Sequence, residues 1–191
     1  MRRVAQALDT GPASLYVYVA NTAELHAALL EELLGSVSPD ESGDWRARLA
    51  SLLRSYADLL FSYPGLARSA LVLRPFGPNA VLLYDRVLGL LLEGGIPAEQ
   101  AAWGVDLLLQ YVTGTAAEHS TPDGDDLDAP ADDEAEMDAL SRALHSADPA
   151  TAPHVAAHAD ALLSGTPEAR ISWALHALIE GIATTPTVHR S

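Results

Sequence analysis

Residues 2–34 read RRVAQALDTGPASLYVYVANTAELHAALLEELL, and the punctuation of this stretch decides how the chain folds. Met1 to Leu8 carries Val4, Ala5 and Leu8 on one face of a short helix, with Arg2, Arg3 and Gln6 outside. Asp9-Thr10-Gly11 ends that helix. Pro12 opens a second one, Pro12 to Val19, because the N–H that proline lacks would be unpaired at a first helical position, and Gly11 can serve as the cap. Asn21 is a good cap for a third helix, with Glu24 placed to reach back to it. Leu25, Leu29 and Leu33 then mark a buried stripe up to Gly35.

Outward from this stretch the pattern stays helical. Ser36 to Gly43, with Pro39 and several small polar residues, marks a boundary, so that residues 1–35 form a head and residues 44–191 a body. In the body, Trp45, Leu49, Leu52, Leu53, Tyr56 and Leu60 recur at helical spacing up to Pro64-Gly65, and a short helix runs on to about Leu73. Pro75, Gly77 and Pro78 break the chain. Helices are expected over Asn79 to Glu93, from Pro97 to His119, and then over Asp133 to Ser146, Pro153 to Leu163 and Glu168 to Ile182. Hydrophobic residues make up 49% of the chain and are dominated by the helix formers Ala and Leu, so the expected fold class is all-α: a compact bundle without internal repeats.

The composition excludes several functions. There is no cysteine, hence no disulfide and no thiolate chemistry. No signal peptide is visible, and apolar stretches are broken before the roughly 20 residues needed to span a bilayer, so the expected location is the cytoplasm, away from membranes. The formal charge of −15 argues against nucleic acid until its distribution is considered. Nine acids (Asp123, Asp125, Asp126, Asp128, Asp132, Asp133, Glu134, Glu136, Asp138) fall in one segment without a base, and the remainder carries about −6. That segment reads as a solvated loop. Every base is arginine, a composition bias of little functional weight.

Two short helices joined by a tight turn fit helix-turn-helix geometry, in which the second helix enters the major groove. A competing reading makes Tyr16 and Tyr18 simple packing residues. The stretch resembles the tetracycline-repressor (TetR) family, in which Met-Arg-x-(Val/Leu)-Ala-x-x-Leu precedes a recognition helix with Ser/Thr-Leu-Tyr and then Asn-x-x-x-Leu. Arg3, Val4, Ala5, Leu8, Pro12, Ser14, Leu15, Tyr16, Val19, Asn21 and Leu25 carry the resemblance. It implies that Pro12, Ala13, Ser14 and Tyr18 face base edges, that Arg2, Arg3, Ser14 and Tyr16 lie near phosphates, and that Leu15 and Val19 are core.

Two departures qualify it. Ala20 and Thr22 stand where many members have a base for phosphate, which lowers nonspecific affinity. Members also have a helix before the Met-Arg segment. Translation starting upstream, a partial chain, or a truncation that no longer binds DNA each account for this, and the intact motif favours the first two together.

The body resembles the same family in its Tyr63-Pro64-Gly65-Leu66 turn and in the Gly114-containing helix after Gly94-Gly95-Ile96-Pro97. The resemblance implies a ligand pocket and a homodimer. Trp103, Val105, Leu109 and Val112 on one helix, with Ile171, Leu175, Leu178 and Ile182 on the last, are the expected dimer surface. Tyr56, Leu60, Phe61, Leu73, Phe76, Tyr84, Leu88, Leu108 and Tyr111 are the expected pocket lining, suited to a flat and mostly apolar small molecule, although aromatic residues at this spacing also serve as plain core.

His154 and His158, with Asp160 nearby, and His119 beside the acidic run are read as polar surface, so no metal and no cofactor is expected. No nucleophile motif, phosphate loop or convincing carboxylate pair suggests an enzyme. The expected function is a one-component repressor, holding palindromic operator DNA as a dimer and released by a small molecule. The alternative is a ligand-binding or scaffolding dimer without DNA activity.

Overall fold

The Ala- and Leu-rich stretches become ten helices among the described residues of the computed structural model, with no strand among them. The structure describes residues 2–7, 9–19, 21–72, 76–118 and 133–187. The helices are α1 (Arg2–Ala7), α2 (Pro12–Leu15), α3 (Thr22–Leu34), α4 (Trp45–Ser62), α5 (Pro64–Val72), α6 (Pro78–Glu93), α7 (Ala98–Glu118), α8 (Asp133–His145), α9 (Pro153–Leu163) and α10 (Pro167–Thr184). No described helix is long and apolar enough to cross a membrane.

Local chemistry sets most of the boundaries. The Asn21 side chain accepts the Glu24 N–H at 2.8 Å to start α3, and the Asp44 side chain accepts the Ala47 N–H at 2.9 Å to start α4. Proline occupies the first turn of α2, α6 and α9. α2 stops at Leu15, four residues earlier than its pattern suggests. The continuation, Tyr16-Val17-Tyr18-Val19, has low helix propensity from its aromatic and β-branched residues, and the exposure of Tyr16, Val17 and Tyr18 leaves little packing to offset this.

The chain divides into two compact units, one comprising residues 1–120 and 175–191 and the other residues 121–174. In the first, α7 packs on α4, α5 and α6, while α3 packs on α4, α5 and α6. Leu49, Leu52, Leu53, Leu60, Leu91 and Leu108 are fully buried in that unit. Each such leucine contributes about 1.5–3 kcal/mol relative to an exposed one.

The stretch between α3 and α4 is tied down rather than free. Val37 is buried, the Asp40 N–H donates to Ser51 Oγ at 2.9 Å, and Arg86 of α6 donates to the Val37 carbonyl. α10 closes against α7 where Gln100, itself buried, donates to the Ile182 carbonyl. Gly104 makes this approach possible, since a Cβ there would lie 2.8 Å from Ile182 Cγ2.

In the second unit α8 packs on α9. His145 Nε2 meets Asp160 Oδ1 at 2.9 Å between them, and Arg170 donates to the Ser164 carbonyl at the end of α9. α9 is kinked at His158.

Candidate functional site

A cavity of about 340 Å³ lies among α3, α4, α5, α6 and α7. Leu34 of α3, Tyr56 of α4, Ala70 and Leu71 of α5, and Ala80, Leu83 and Tyr84 of α6 form part of its wall. α7 supplies Asp106, Leu109, Gln110 and Thr113. Ala70 and Ala80 contribute only methyl groups to that wall. The cavity volume is within the range of small-molecule sites, roughly 300–1,000 Å³.

The polar groups are concentrated on α7. Asp106, Gln110 and Thr113 are four and three residues apart and so share one helix face. Gln110 Nε2 donates to Asp106 Oδ2 at 2.8 Å, and the Tyr56 hydroxyl and Thr113 Oγ1 are 2.9 Å apart, either one donating. Burial pushes the Tyr56 hydroxyl above its ordinary pKa of 10.0, partly offset by the bond to Thr113. Tyr56 is therefore a neutral phenol at physiological pH. Only one of the two hydroxyls donates within the pair, so the other's proton lies outside it.

Tyr56 and Tyr84 are the expected pocket residues that line this space. Leu60 and Leu108 are fully buried, Leu88 and Tyr111 are half-buried, Phe61 sits at the surface, and Phe76 is 90% exposed. Leu73 lies outside the described residues, as do His119 and the acidic run from 123 to 132. The lining residues Leu34, Ala70, Leu71, Ala80, Leu83, Asp106, Gln110 and Thr113 were not foreseen. Thr113 and Gln110 carried a readable signal, as polar residues within the apolar run 105–112 and its continuation.

A second concavity runs between α7 and the end of α10, with Trp103, Leu107, Leu178 and Ile182 among its lining. Trp103 is 57% exposed and Leu107 45% exposed. Of the other residues expected on a dimer surface, Val105, Leu109, Val112 and Leu175 are buried within the subunit, and Leu109 faces the cavity. Ile171 is half-buried in the second unit. Leu107 was not foreseen, although it stands one turn from Trp103.

In the head, α1 packs on α2. The turn between them is held by Thr10 N–H donating to the Ala5 carbonyl at 2.9 Å, with Asp9 in the left-handed region at φ 48°. Ala5 is 1% exposed. Ala13, Ser14, Tyr16 and Tyr18 are exposed, Tyr18 to 85%. The side chains of Arg2, Arg3, Pro12 and Leu15 lie outside the described residues. Among the described residues no group of three His, Asp or Glu could hold a metal ion.

Comparison with known proteins accounts for this combination. The family model for the tetracyclin repressor-like C-terminal domain matches residues 38–185. The HTH-type transcriptional repressor DrrR1 of Streptomyces coeruleorubidus is 33% identical over 119 residues, which are 61% of this chain and 44% of DrrR1, so the chain spans less than half the length of that curated relative. The Streptomyces protein SCO7704 superimposes with a TM-score of 0.78 at 49% identity, over 100% of this chain and 87% of that one. The TetR family protein ActR of Streptomyces coelicolor, in complex with actinorhodin, gives 0.78 at 33% identity, over 95% of this chain and 85% of ActR. With most of its length matched by the family model and its all-helical fold shared with these proteins, the chain belongs to the tetracyclin repressor-like (TetR) family of transcription regulators.

Proposed function

We propose that this protein is a ligand-responsive repressor that holds operator DNA as a homodimer and is released by a small, largely apolar molecule. The observation that carries the reading is the cavity walled by Leu34 of α3, the helix that continues directly from α1 and α2. An occupant that favours a different setting of α3 thereby favours a different setting of the head, and a ligand shifts such an equilibrium by as much as its affinities for the two states differ. Exposed Ala13, Ser14, Tyr16 and Tyr18, with Arg2, Arg3 and Pro12, form the proposed DNA surface, which reads bases with short side chains and hydroxyls.

The groove between α7 and α10 is the proposed dimer interface, with Trp103 as its aromatic anchor. For the ligand, the lining of apolar residues around a few hydroxyl and amide groups suits a ring system bearing hydrogen-bonding substituents. ActR, at 32–33% identity, has been crystallised with actinorhodin and with (S)-DNPA, which makes these two compounds the first to test. No catalytic role is proposed.

The test is a mobility shift with the DNA flanking the protein's own gene, at two salt concentrations, with and without actinorhodin, using the 191-residue chain and a version extended through any in-frame upstream codons. Sequence-specific, salt-sensitive retention supports the regulator. No retention by either form would leave a ligand-binding dimer that does not use DNA, the reading favoured by the net acidity.

A further inference from the structure

α6 begins without a capping side chain of its own. Gly77 occupies its N-cap position, and the first-turn N–H groups are satisfied from another helix 48 residues away in sequence. The Glu31 carboxylate of α3 accepts the Asn79 N–H through Oε1 at 2.5 Å and the Ala80 N–H through Oε2 at 3.2 Å. A carboxylate at a helix N-terminus is favoured both by these unpaired donors and by the helix dipole. The exchange is reciprocal, because Asn79 Nδ2 donates at 2.9 Å to the Glu31 carbonyl, one of the last four of α3, which lack helical partners. Each helix end caps the other.

Two further features belong to the same joint. Gly77 has an ordinary φ of −76°, so its backbone does not require glycine. Its lack of a side chain makes room for the carboxylate, since a Cβ there would fall 2.6 Å from Glu31 Oε1 and push it away. Earlier along α3, His26 Nδ1 and Ser69 Oγ of α5 lie 2.6 Å apart, and Ser69 Oγ is also 2.9 Å from the Gly65 carbonyl. α3 is thus pinned to α5 and α6. One turn from Glu31 lies Leu34, and next to Asn79 lies Ala80, both in the cavity wall.

We propose that Glu31 is the positioning residue that couples the cavity to the head: its cap on α6 holds α3 in one setting, and an occupant that moves Leu34 or Ala80 opens the cap and releases α3. This rests on the regulator reading for its biological meaning, but the coupling itself is mechanical and is measured without DNA. Glu31→Ala removes the carboxylate. Gly77→Ala leaves Glu31 in the sequence and displaces its carboxylate by contact. Glu31→Gln keeps one acceptor oxygen.

The experiment is hydrogen exchange on the full chain, followed at the Asn79 and Ala80 amides, along α3, and at buried α7 amides as an internal control for folding. Glu31→Ala and Gly77→Ala are expected to speed exchange at residues 79 and 80 by about two- to thirtyfold, the range for a lost cap, with a smaller change for Glu31→Gln. α3 is expected to loosen with them while α7 keeps its protection. Ala70→Phe, which adds bulk to the cavity wall and leaves the capping residues Glu31, Gly77 and Asn79 unchanged in sequence, is expected to speed the same amides.

Loosening confined to residues 79 and 80, or unchanged exchange there in Ala70→Phe, overturns the coupling and leaves the regulator reading untouched. The expected exchange pattern, in a protein that retains no operator DNA in the mobility shift, supports the coupling and overturns the regulator reading.

Discussion

The body and the head of this molecule are built on different terms. α4 and α7 contribute a continuous run of fully buried side chains, Leu49, Leu52, Leu53, Leu60, Leu108 and Val112 among them. α1 buries Ala5, and the stretch after α2 presents Tyr16, Val17 and Tyr18 to solvent. α4 and α7 carry the buried side chains that stabilise their unit, while the exposed Tyr16, Val17 and Tyr18 belong to the surface proposed to meet DNA.

The largest expected effect tests this division. Leu108→Ala should cost about 2–5 kcal/mol by the cavity it leaves, and in a chain of this size each kcal/mol lowers the Tm by roughly 2–4 °C. Tyr18→Ala should change stability by less than about 0.5 kcal/mol. Thermal and urea melts of the two variants check the contrast, and a Tyr18 variant as unstable as the Leu108 one would erase it.

Next comes the groove. Trp103→Glu combined with Leu107→Glu should weaken self-association by at least about 30-fold, the loss of one strong interface anchor. Analytical ultracentrifugation reads this directly, and an unchanged association constant would place the dimer surface elsewhere.

Within the cavity, Thr113→Val leaves the buried Tyr56 hydroxyl without its partner and should cost about 1–3 kcal/mol. Adding Tyr56→Phe should recover most of that loss, because removing both partners is far cheaper than orphaning one. Urea melts of the four proteins in the cycle give the coupling, and additive losses would mean that the two hydroxyls act separately.

The smallest effect is a pH dependence at the exposed contact between α8 and α9. The hydrogen bond to Asp160, helped by the Ser141 carbonyl, raises the His145 pKa above its ordinary 6.5. A raised folded-state value stabilises while the imidazole is protonated, so the contribution is complete below about pH 6.5 and fades as pH rises through the folded pKa. An NMR titration should place His145 above a free histidine, and Asp160→Asn should remove the shift.

The body's fold was legible because its apolar spacing is regular. From Trp45 to Leu60 the periodicity places α4, and Pro64, Pro78, Gly94 and Pro97 punctuate the chain from there to α7. The head's helix-turn-helix was legible through a residue signature, while the extent of α2 was not, since Tyr16 to Val19 fits a helix by spacing and fails it by propensity and exposure.

The cavity was legible only in part. Periodicity says which face of a helix is buried and not which neighbour it meets, so Leu109 fits a dimer surface by its spacing and faces the cavity in the fold. Ala70 and Ala80 matter through the volume they do not occupy, a property with no pattern in one dimension. Glu31 carries no legible role in the sequence, because its capping partners Asn79 and Ala80 lie 48 and 49 residues away and meet it only in the fold.

That α7 walls the cavity with one face and the groove with another has a consequence for anyone who wishes to retune this protein as a biosensor. Under the proposed function, variation at Asp106, Gln110 or Thr113 reshapes the cavity on the same helix that carries Trp103 and Leu107 of the proposed dimer groove, so specificity and assembly would have to be assayed together. A library confined to Ala70, Leu71, Leu83 and Tyr84 reshapes the same chamber from α5 and α6, leaving the α7 lining intact and selectable on its own.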